Sequence, residues 1–256
     1  MIVRGARELL GRYHELGPGD AFVGPIGLSH LKESIFVDLL ERGIRCYPSA
    51  LSQILYRSKT AQALFLNEWM LPHTRVVSRR IELMEAIGEY TRHHISKVIT
   101  KQNRLHCGHG VCLWTTTETL YSHVGLNEDA YPFVLQPFLP HFVDVRVIVA
   151  GDLVEAYTRD NPYNFRKNLS SGGRSEPYEL DDEKTALCRD IMRRGKFPYA
   201  HIDLHVTDDD QIYLSEIALN GGLKGAKINR SDLDAIKAEI LVEMVERDRA
   251  TSGAES

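Results

Sequence analysis

The hydrophobic positions before residue 74 alternate between strand-like and helix-like spacing. Residues 21–27 and 44–47 are short apolar runs of the kind that form buried strands. Between these runs, apolar residues recur at the spacing of one helix face, at Leu31, Ile35, Phe36, Leu39 and Leu40. Gly43 is placed to end that helix. This order predicts a small parallel sheet, followed by a second helix over residues 61–70 that stops before Pro72.

The middle of the chain predicts three strands and one helix. The strand patterns lie at residues 74–78, 95–101 and 111–114, and the helical pattern lies at residues 81–90. A tight turn is expected at residues 106–110, because the strand pattern resumes directly after it.

From residue 133 onward the pattern is mostly that of an antiparallel sheet. Residues 144–150 and 153–159 flank a Gly-Asp pair, which is a favoured two-residue hairpin turn. Residues 200–206 and 212–218 predict a second hairpin around the loop 208–211.

Two helices accompany these hairpins. One is predicted over residues 181–194, and the closing helix is predicted over residues 232–245 with Ser231 as its N-cap. The polar tail 247–256 is expected to fray. The chain as a whole is predicted to be a mixed α/β and α+β protein in three lobes.

Composition narrows the class of protein. The 256 residues are 43% hydrophobic and 26% charged, which is ordinary for a soluble globular chain. The net charge of −4 creates no field that favours nucleic acid or an anionic membrane. No apolar run approaches the roughly 20 residues that cross a bilayer, and the N-terminus lacks a signal-peptide core. Four scattered cysteines suit a reducing compartment, so a cytoplasmic location without nucleic-acid or membrane partners is expected.

The second hairpin brings two carboxylates together. With a loop of residues 208–211, Val206 pairs with Tyr213, and Asp203 lies directly opposite Glu216. Opposed residues share one face of the sheet at roughly 4.5–5.5 Å, so two like charges there repel unless a cation offsets them. Mg²⁺ prefers such oxygen ligands. The alternatives are a solvated pair on an exposed face and a register that is shifted by one residue.

Four further features are candidates for binding. The first hairpin predicts Asp144 opposite Arg159 and Arg146 opposite Tyr157, as a structural ion pair or as part of a site. Lys101 ends a strand below a glycine turn, where a lysine contacts phosphate or simply faces solvent. The glycine-rich run 221–225 and the basic loop 164–173 suit a closely approaching anion, although both compositions are also common in surface loops.

Cysteine and histidine residues, which are common metal ligands, cluster near the glycine turn. Their spacing matches no tetrahedral zinc pattern. The residues concerned are His106, Cys107, His109 and Cys112.

Taken in order, these segments resemble the ATP-grasp superfamily, most closely its RimK-like carboxylate–amine ligases, with glutathione synthetases as more distant relatives. The most specific match is F-R-K-N-L-S-S-G-G at residues 165–173, which is close to the family's F-R-x-N-L-x-x-G-G. The other matching segments are Ser58-Lys59 with Pro72 and Thr74, residues 101–111, the hinge 135–139, residues 144–147 with Arg159, and Asp203 with Glu216.

The resemblance implies an ATP-grasp fold with a small N-terminal β–α–β (pre-ATP-grasp) lobe at residues 1–75. Residues 76–133 would form a small lobe with the glycine loop, and residues 134–256 would form the lobe with the metal and substrate site. It implies ATP with Mg²⁺, or Mn²⁺ in its place. The implied nucleotide-binding residues are Lys59, Lys101, Gly108, Gly110, Gln136, Pro137, Phe138, Leu139 and Asn168. The implied catalytic residues are Arg146, Arg159 and Arg166, and the implied metal ligands are Asp203, Glu216 and Asn220.

The chain departs from the family pattern at three positions. Leu105 stands where the flexible loop usually has another glycine, and Pro137 stands where the hinge usually has glutamate. Ala218 stands where the family has a metal-binding asparagine, and Asn220 follows two residues later.

The implied reaction is phosphorylation of a carboxylate by ATP, followed by attack of an amine on the acyl phosphate. A small-molecule or peptide carboxylate and an amine are the implied substrates, as in the addition of an amino acid to a peptide or small acid. Two alternatives are a catalytically degenerate ATP-binding module and an ATP-grasp-type kinase with a hydroxyl acceptor. The sequence is compatible with either a monomer or a homo-oligomer.

Overall fold

The structure is a computed structural model, which describes residues 1–27, 31–103, 110–165, 167 and 172–254. The described residues form three sheets, each with helices packed against it. None of the helices in these ranges is both long enough and apolar enough to span a membrane.

The N-terminal lobe contains a parallel sheet in the order β1-β2-β3, as the alternation of the sequence predicts. Its elements are β1 (Ile2–Arg4), α1 (Gly5–Gly11), β2 (Ala21–Val23), α2 (Lys32–Glu41) and β3 (Arg45–Tyr47). Gly43 ends the α2 helix with φ +71°, and its N–H donates to the Leu40 carbonyl at 2.9 Å. The Ile44 N–H donates to the Leu39 carbonyl at 2.8 Å. These two bonds form a Schellman motif, which explains the glycine.

Two short helices, α3 (Ala50–Leu55) and α4 (Lys59–Phe65), connect this lobe to the rest. The helix predicted over residues 61–70 is therefore placed too late and is too long. Ser58 caps the start of α4 by accepting a hydrogen bond from the Ala61 N–H at 3.1 Å. The side-chain amide of Asn67 donates to the carbonyl groups of Ala63 and Thr74, each at 3.1 Å. Such side-chain bonds compete with the helical ladder, and residues 67–69 form a 3₁₀ turn instead.

The middle lobe is an antiparallel sheet in the order β4-β7-β5-β6. Its elements are β4 (Arg75–Val77), α5 (Arg80–Arg92), β5 (Val98–Gln102), β6 (Val111–Trp114), α6 (Thr117–Val124) and β7 (Phe133–Pro137). The strand β7 completes this sheet, so the sheet of the middle lobe includes residues up to Pro137.

The C-terminal lobe is an antiparallel sheet in the order β11-β10-β8-β9. Its elements are β8 (Val143–Ala150), β9 (Leu153–Arg159), α7 (Asp182–Gly195), β10 (Tyr199–Val206), β11 (Ile212–Ala218) and α8 (Arg230–Ala254). The inward faces of these strands and α7 form a continuous apolar core that includes Val147, Ile191, Ile202 and Ile217, all fully buried.

The start of α8 differs from the prediction. Asn229, rather than Ser231, caps the helix, because its side-chain oxygen accepts a hydrogen bond from the Asp232 N–H at 3.0 Å. The helix also extends through the tail that was expected to fray. Asp248 holds this end in place, since its carboxylate accepts a hydrogen bond from the Tyr47 hydroxyl and its carbonyl accepts one from Arg45.

Gln62 links the short helix α4 to the C-terminal sheet. Its side chain is 1% exposed. The amide nitrogen donates to the carbonyl groups of Leu55 and Ile217 at 2.7 and 2.9 Å, and the amide oxygen accepts from the Ile217 N–H at 2.9 Å. All of these partners are buried, so no solvent replaces Gln62 if it is removed.

We therefore expect Gln62→Ala to lower the free energy of unfolding by about 2–4 kcal/mol, because it leaves several buried backbone groups without partners. Urea denaturation of the purified chain measures this change. Leu64→Ala is the matched control on the same helix, since Leu64 is 68% exposed and should change stability by less than about 0.5 kcal/mol. Equal effects of the two substitutions would contradict this account.

Candidate active site

A cavity of about 160 Å³ lies between β5 of the middle sheet and the face formed by β8, β10 and β11. Its lining is rich in charge, with five cationic side chains and three carboxylates among the described residues. These are Lys59, Lys101, Arg146, Arg159, Lys167, Asp144, Asp203 and Glu216. This cavity therefore brings together nearly all the described cationic and acidic residues that the sequence identified as candidates.

Asp203 lies at the centre of this group. Arg146 donates two hydrogen bonds to it, from Nε to Oδ1 at 2.7 Å and from Nη2 to Oδ2 at 2.9 Å. Arg159 Nη2 lies 2.9 Å from Asp203 Oδ2 and 2.6 Å from Asp144 Oδ1. The strand register produces these contacts, because Asp203 pairs with Arg146 across β10 and β8, and Asp144 pairs with Arg159 across β8 and β9.

Burial and charge act in opposite directions on these carboxylates. Burial disfavours the ionised form of Asp203, but the charges of Arg146 and Arg159 outweigh it and hold the pKa of Asp203 below its ordinary value. For Asp144, burial dominates and raises the pKa, with the charge of Arg159 opposing it. The more firmly ionised carboxylate is thus the one that both arginines share.

The predicted opposition of Asp203 and Glu216 is confirmed by the register. The arginines already compensate Asp203, and Lys59 Nζ lies 3.7 Å from Glu216 Oε1. Cations of the chain itself therefore offset the repulsion that was expected between the two carboxylates.

The pairing of Val206 with Tyr213 is wrong, since Val206 pairs with Ile212. A β-bulge between Asp203 and the loop restores the expected pairing of Asp203 with Glu216, because Ser215 is inserted without an opposing residue. The hairpin loop shifts the strand register by one residue from the expected one, and the bulge shifts it back by one residue. Asp203 and Glu216 are therefore paired as expected.

The bulge also creates a contact across the cavity. Lys101 Nζ, on β5, donates to the Ser215 carbonyl at 3.2 Å and lies 3.3 Å from Ser215 Oγ. Burial lowers the pKa of Lys101 to about 8. The negative charge of Glu216 opposes this change, and the positive charge of Lys59 adds to it. Lys101 therefore joins the two sheets and is only weakly held in its charged form.

The cavity is smaller than the roughly 300–1,000 Å³ of sites that enclose small organic ligands. A whole nucleotide is therefore larger than this cavity, whose lining includes both partners of the bond between Lys101 and Ser215.

The predicted hinge residues lie at the end of β7. Gln136 is buried and adjoins a small void beside Lys59 and Lys101, while its side-chain amide donates to Thr74 Oγ1 at 2.9 Å. Pro137 has no N–H, and the Phe138 N–H donates to the Lys97 carbonyl at 2.9 Å. Leu139 follows and is half-buried.

Other predicted residues are only partly within the described ranges. Gly110 is buried, and its carbonyl accepts a hydrogen bond from the Gln102 N–H at 2.8 Å, which extends the pairing of β5 with β6. Gly108, Arg166 and Asn168 lie outside the described residues, as do Leu105, His106, Cys107 and His109.

Asn220 is outside the cavity lining in this structure. Its side-chain oxygen accepts a hydrogen bond from Lys237 Nζ at 2.9 Å, and Lys237 also donates to the Leu219 carbonyl at 2.9 Å. Ala218, at the family's asparagine position, pairs with His201 and supplies no oxygen ligand from its side chain.

Packing explains two of the glycines of the run 221–225. A Cβ on Gly221 would lie 2.8 Å from the His201 ring, and a Cβ on Gly225 would lie 2.5 Å from Ser175 Oγ. The Tyr157 hydroxyl donates to the Gly222 carbonyl at 3.1 Å. Gly221 and Gly225 thus allow the loop to pack closely against its neighbours, while a Cβ on Gly222 would meet nothing within 4 Å.

Sequence reasoning missed several residues that line the cavity, including His205 and Ser215. His205 packs on Phe142 with 4.0 Å between ring centroids, and burial lowers its pKa to about 3. The strand period could have identified His205, which lies two residues from Asp203 on the same face. No comparable signal identifies Ser215, because the bulge interrupts that period.

The donor set of the cavity fits a nucleotide with a divalent ion. Asp203 and Glu216 supply oxygen ligands of the type that Mg²⁺ prefers, and Lys59 and Lys101 lie on the same cavity as point charges for phosphate. Asp203 is in contact with arginines, so an ion there would displace or share those contacts.

A model of the RimK-like ATP-grasp domain matches residues 56–243 of the sequence. The chain belongs to the RimK-like ATP-grasp family. The match covers both sheets that enclose the cavity, together with the helices α4, α7 and most of α8.

Comparison with individual proteins agrees with this family. The chain is 28% identical over 175 residues to the glutathione synthetase of Prochlorococcus marinus (strain MIT 9313), covering 65% of this chain and 54% of that protein. It thus spans about half of the length of this relative.

Solved structures of low sequence identity share the ATP-grasp fold. The D-alanine-D-alanine ligase from Coxiella burnetii has a TM-score of 0.66 at 10% identity, covering 92% of this chain and 72% of that chain. The ATP-grasp ligase PsnB, complexed with a phosphomimetic variant of a minimal precursor, Mg and ADP, has a TM-score of 0.57 at 18% identity. This alignment covers 91% of this chain and 70% of that chain.

The two carboxylates of the ATP-grasp hairpin should differ in their importance for stability. We expect Asp203→Asn to lower the free energy of unfolding of the metal-free chain by about 3 kcal/mol, because it leaves two buried guanidinium groups undercompensated. Glu216→Gln should cost about 1 kcal/mol or less, since Glu216 is 32% exposed and 3.7 Å from its partner. Urea denaturation in the presence of EDTA distinguishes these outcomes. A larger loss for Glu216→Gln would show that Asp203 is not the central carboxylate.

Proposed function

We propose that this chain is an ATP-dependent carboxylate–amine ligase that acts through an acyl phosphate. The proposal depends on one observation, namely that lysines, arginines and carboxylates line the same cavity. Two lysines, Lys59 and Lys101, line the same cavity as the acidic pair Asp203 and Glu216, and Arg146 and Arg159 both contact Asp203. This combination suits phosphate, a divalent ion and a carboxylate substrate in one place.

Lys101 and Lys59 would neutralise the phosphates during transfer, because a compact ammonium binds phosphate as a point charge. Asp203 and Glu216 would hold Mg²⁺. When bound, Mg²⁺ neutralises phosphate charge and templates in-line transfer.

Arg146 and Arg159 would orient the substrate carboxylate and stabilise the oxyanion that forms as the amine attacks. No side-chain nucleophile is needed, since the amine itself displaces phosphate. Arg166 and Asn168, predicted to assist, lie outside the described residues.

The relatives support the same class of substrate. One relative is a glutathione synthetase, one structural neighbour is a D-alanine-D-alanine ligase, and another is an ATP-grasp ligase complexed with a precursor, Mg and ADP. We extend this class to the present chain as a small-molecule or peptide carboxylate and an amine.

A catalytically degenerate ATP-binding module is the second candidate. Ala218 favours it, because the side chain at the family's asparagine position offers no ligand, and Asn220 is bonded to Lys237 outside the cavity. This candidate predicts nucleotide binding without turnover.

Turnover distinguishes these candidates. The chain is incubated with ATP and Mg²⁺ and a panel of carboxylates, with and without amines, and both ADP and product are measured. A ligase releases ADP only with a suitable acid, and hydroxylamine traps the acyl phosphate as a hydroxamate. A binding module shows a thermal shift with ATP but no ADP, and a kinase phosphorylates a hydroxyl compound without an acid. Nucleotide binding with no ADP for any acid would overturn the ligase proposal.

Lys101→Ala should abolish most nucleotide binding, because it removes the ammonium group that would contact phosphate, and the fold should survive the loss of its contact with Ser215. Its matched control is Lys97→Ala, an exposed lysine that precedes the same strand. Calorimetric titration with ATP and Mg²⁺ measures the affinity, and thermal unfolding checks the fold. A well-folded Lys101→Ala variant with unchanged ATP affinity would remove Lys101 from the site.

The affinity for ATP should also fall at high pH. Burial, with Lys59 adding to it and Glu216, Asp203 and Asp144 opposing it, lowers the pKa of Lys101 to about 8 in the free chain. Phosphate selects the ammonium form, so affinity is full below this pKa and is lost as pH rises through it. The protonated fraction then predicts a roughly tenfold loss between pH 7 and pH 9.

Lys101→Arg is the control for this pH dependence, because arginine stays charged throughout the range. At each pH, the ATP affinity of the unaltered chain is divided by that of the Lys101→Arg chain. This ratio cancels the effects of other titrating groups, including those of ATP itself. Identical pH profiles for the two proteins would assign the dependence to another group.

A further inference from the structure

A second group of potential ligands lies outside the cavity, beside the middle sheet. It consists of His73, Glu89 and His93, and within the part of the chain that the structure describes each offers one ligand atom within 4.8 Å of the others. None of the three lines the cavity of the proposed active site.

The local fold explains why these side chains meet. Glu89 lies in the last turn of α5, and His93 follows four residues later at the end of that helix. Residues separated by four positions share one face of a helix. His73 reaches the same place from the turn between Leu71 and Thr74, which precedes β4.

The backbone of His73 has an unusual conformation. Its φ is +65°, a region in which non-glycine residues are uncommon and which costs conformational free energy. His73 follows Pro72 and is the third residue of a turn, which is closed by the bond from the Thr74 N–H to the Leu71 carbonyl. Glycine is preferred at the third position of a turn when that position has a positive φ. The hydroxyl of the buried Tyr90, on α5, donates to the His73 carbonyl at 2.7 Å. The turn at residues 71–74 is therefore bonded to α5. It carries the His73 imidazole at a position where glycine would be less strained.

Glu89 divides its two oxygens between different partners. Oε1 lies 2.9 Å from His73 Nδ1, and Oε2 pairs with Arg75. Arg75 thus fixes the orientation of the carboxylate and leaves the other oxygen facing the imidazoles. Partners that orient a ligating group in this way are a regular feature of metal sites.

The two imidazole rings complete the arrangement. Their centroids are 4.3 Å apart, His73 and Glu89 are partly buried, and His93 is exposed. The side of the group at His93 is therefore open to solvent, and a water molecule can supply a fourth ligand there.

We propose that His73, Glu89 and His93 bind a transition-metal ion of the zinc class. Two neutral imidazoles and one carboxylate are ligands that Zn²⁺ and Co²⁺ accept in tetrahedral geometry with a water in the fourth position. Mg²⁺ and Ca²⁺ prefer oxygen ligands and are selected against. Binding replaces the hydrogen bond between His73 and Glu89 with two bonds to the ion.

The ion would act as a clamp between the turn and α5. The residue after His73 is Thr74, whose hydroxyl accepts the hydrogen bond from Gln136 in the hinge. The clamp therefore fixes the segment that supports the hinge, and it does so independently of the reaction proposed for the cavity.

The test uses the full chain without an affinity tag, because a histidine tag would itself bind the probe. Excess Mg²⁺ is present throughout to occupy the carboxylates of the cavity. Co²⁺ is titrated and followed by its visible absorption, and Zn²⁺ is then used to displace it. We expect one ion per chain, strong tetrahedral absorption and an increase in Tm with Zn²⁺.

Three substitutions test the ligands: His73→Asn, Glu89→Gln and His93→Asn. Asparagine tolerates the positive φ of His73. Each variant should weaken Zn²⁺ binding by at least about tenfold and remove the increase in Tm. His94→Asn is the matched control, because His94 is the exposed neighbour of His93 and also has a positive φ, and it should bind Zn²⁺ normally.

His93→Asn is the decisive variant, because His93 is exposed and its replacement leaves the turn at His73 intact. Absence of Co²⁺ absorption and of Zn²⁺ binding in the unaltered chain would overturn the proposal. Equal Zn²⁺ affinity of the His93→Asn and His94→Asn chains would also overturn it, and the contact between His73 and Glu89 would then be a structural hydrogen bond alone.

Discussion

The carboxylate of Asp203, buried between Arg146 and Arg159, is the interaction on which the arrangement of the C-terminal lobe depends. Three adjacent strands supply the three side chains, so the contacts exist only when β8, β9 and β10 are in one register. A shift of one residue in any strand would turn a charged side chain into the apolar core on the other face. Removing any one partner would leave the buried charges of this group incompletely compensated. The charged group therefore specifies the register as well as the chemistry of the cavity.

Much of this arrangement is predictable from the sequence, because it follows from alternation and turn chemistry. The Gly-Asp turn fixes the pairing of Asp144 with Arg159 by counting, and Gly43 marks the end of α2 through its positive φ. The opposition of Asp203 and Glu216 was predicted correctly, but through a pairing of Val206 that is wrong. A bulge at Ser215 corrects that error, and counting residues within the hairpin does not reveal it.

The features that could not be predicted depend on tertiary contacts. Asn67 ends α4 by bonding to Thr74, and Asp248 holds the C-terminal end of α8 against Tyr47 and Arg45. Likewise, the sequence does not indicate which groups lie against Gly221 and Gly225, and these groups are His201 and Ser175. Hydrophobic patterns in the sequence identify helices and strands and their buried faces. Hydrogen bonds to residues beyond each helix determine where these helices end.

The balance of charge in the cavity indicates what kind of ligand it suits. Cationic side chains outnumber carboxylates there, and burial raises the pKa of Asp144, which makes the excess of positive charge larger still. At the same time, burial lowers the pKa of Lys101 to about 8 and so disfavours its charged form. An anionic ligand would offset the excess of positive charge from the arginines, and it would favour the charged form of Lys101. A divalent ion alone does neither, since it competes with Arg146 and Arg159 for Asp203. Anion and metal should therefore bind together more strongly than the metal alone, as the proposed binding of ATP with Mg²⁺ requires.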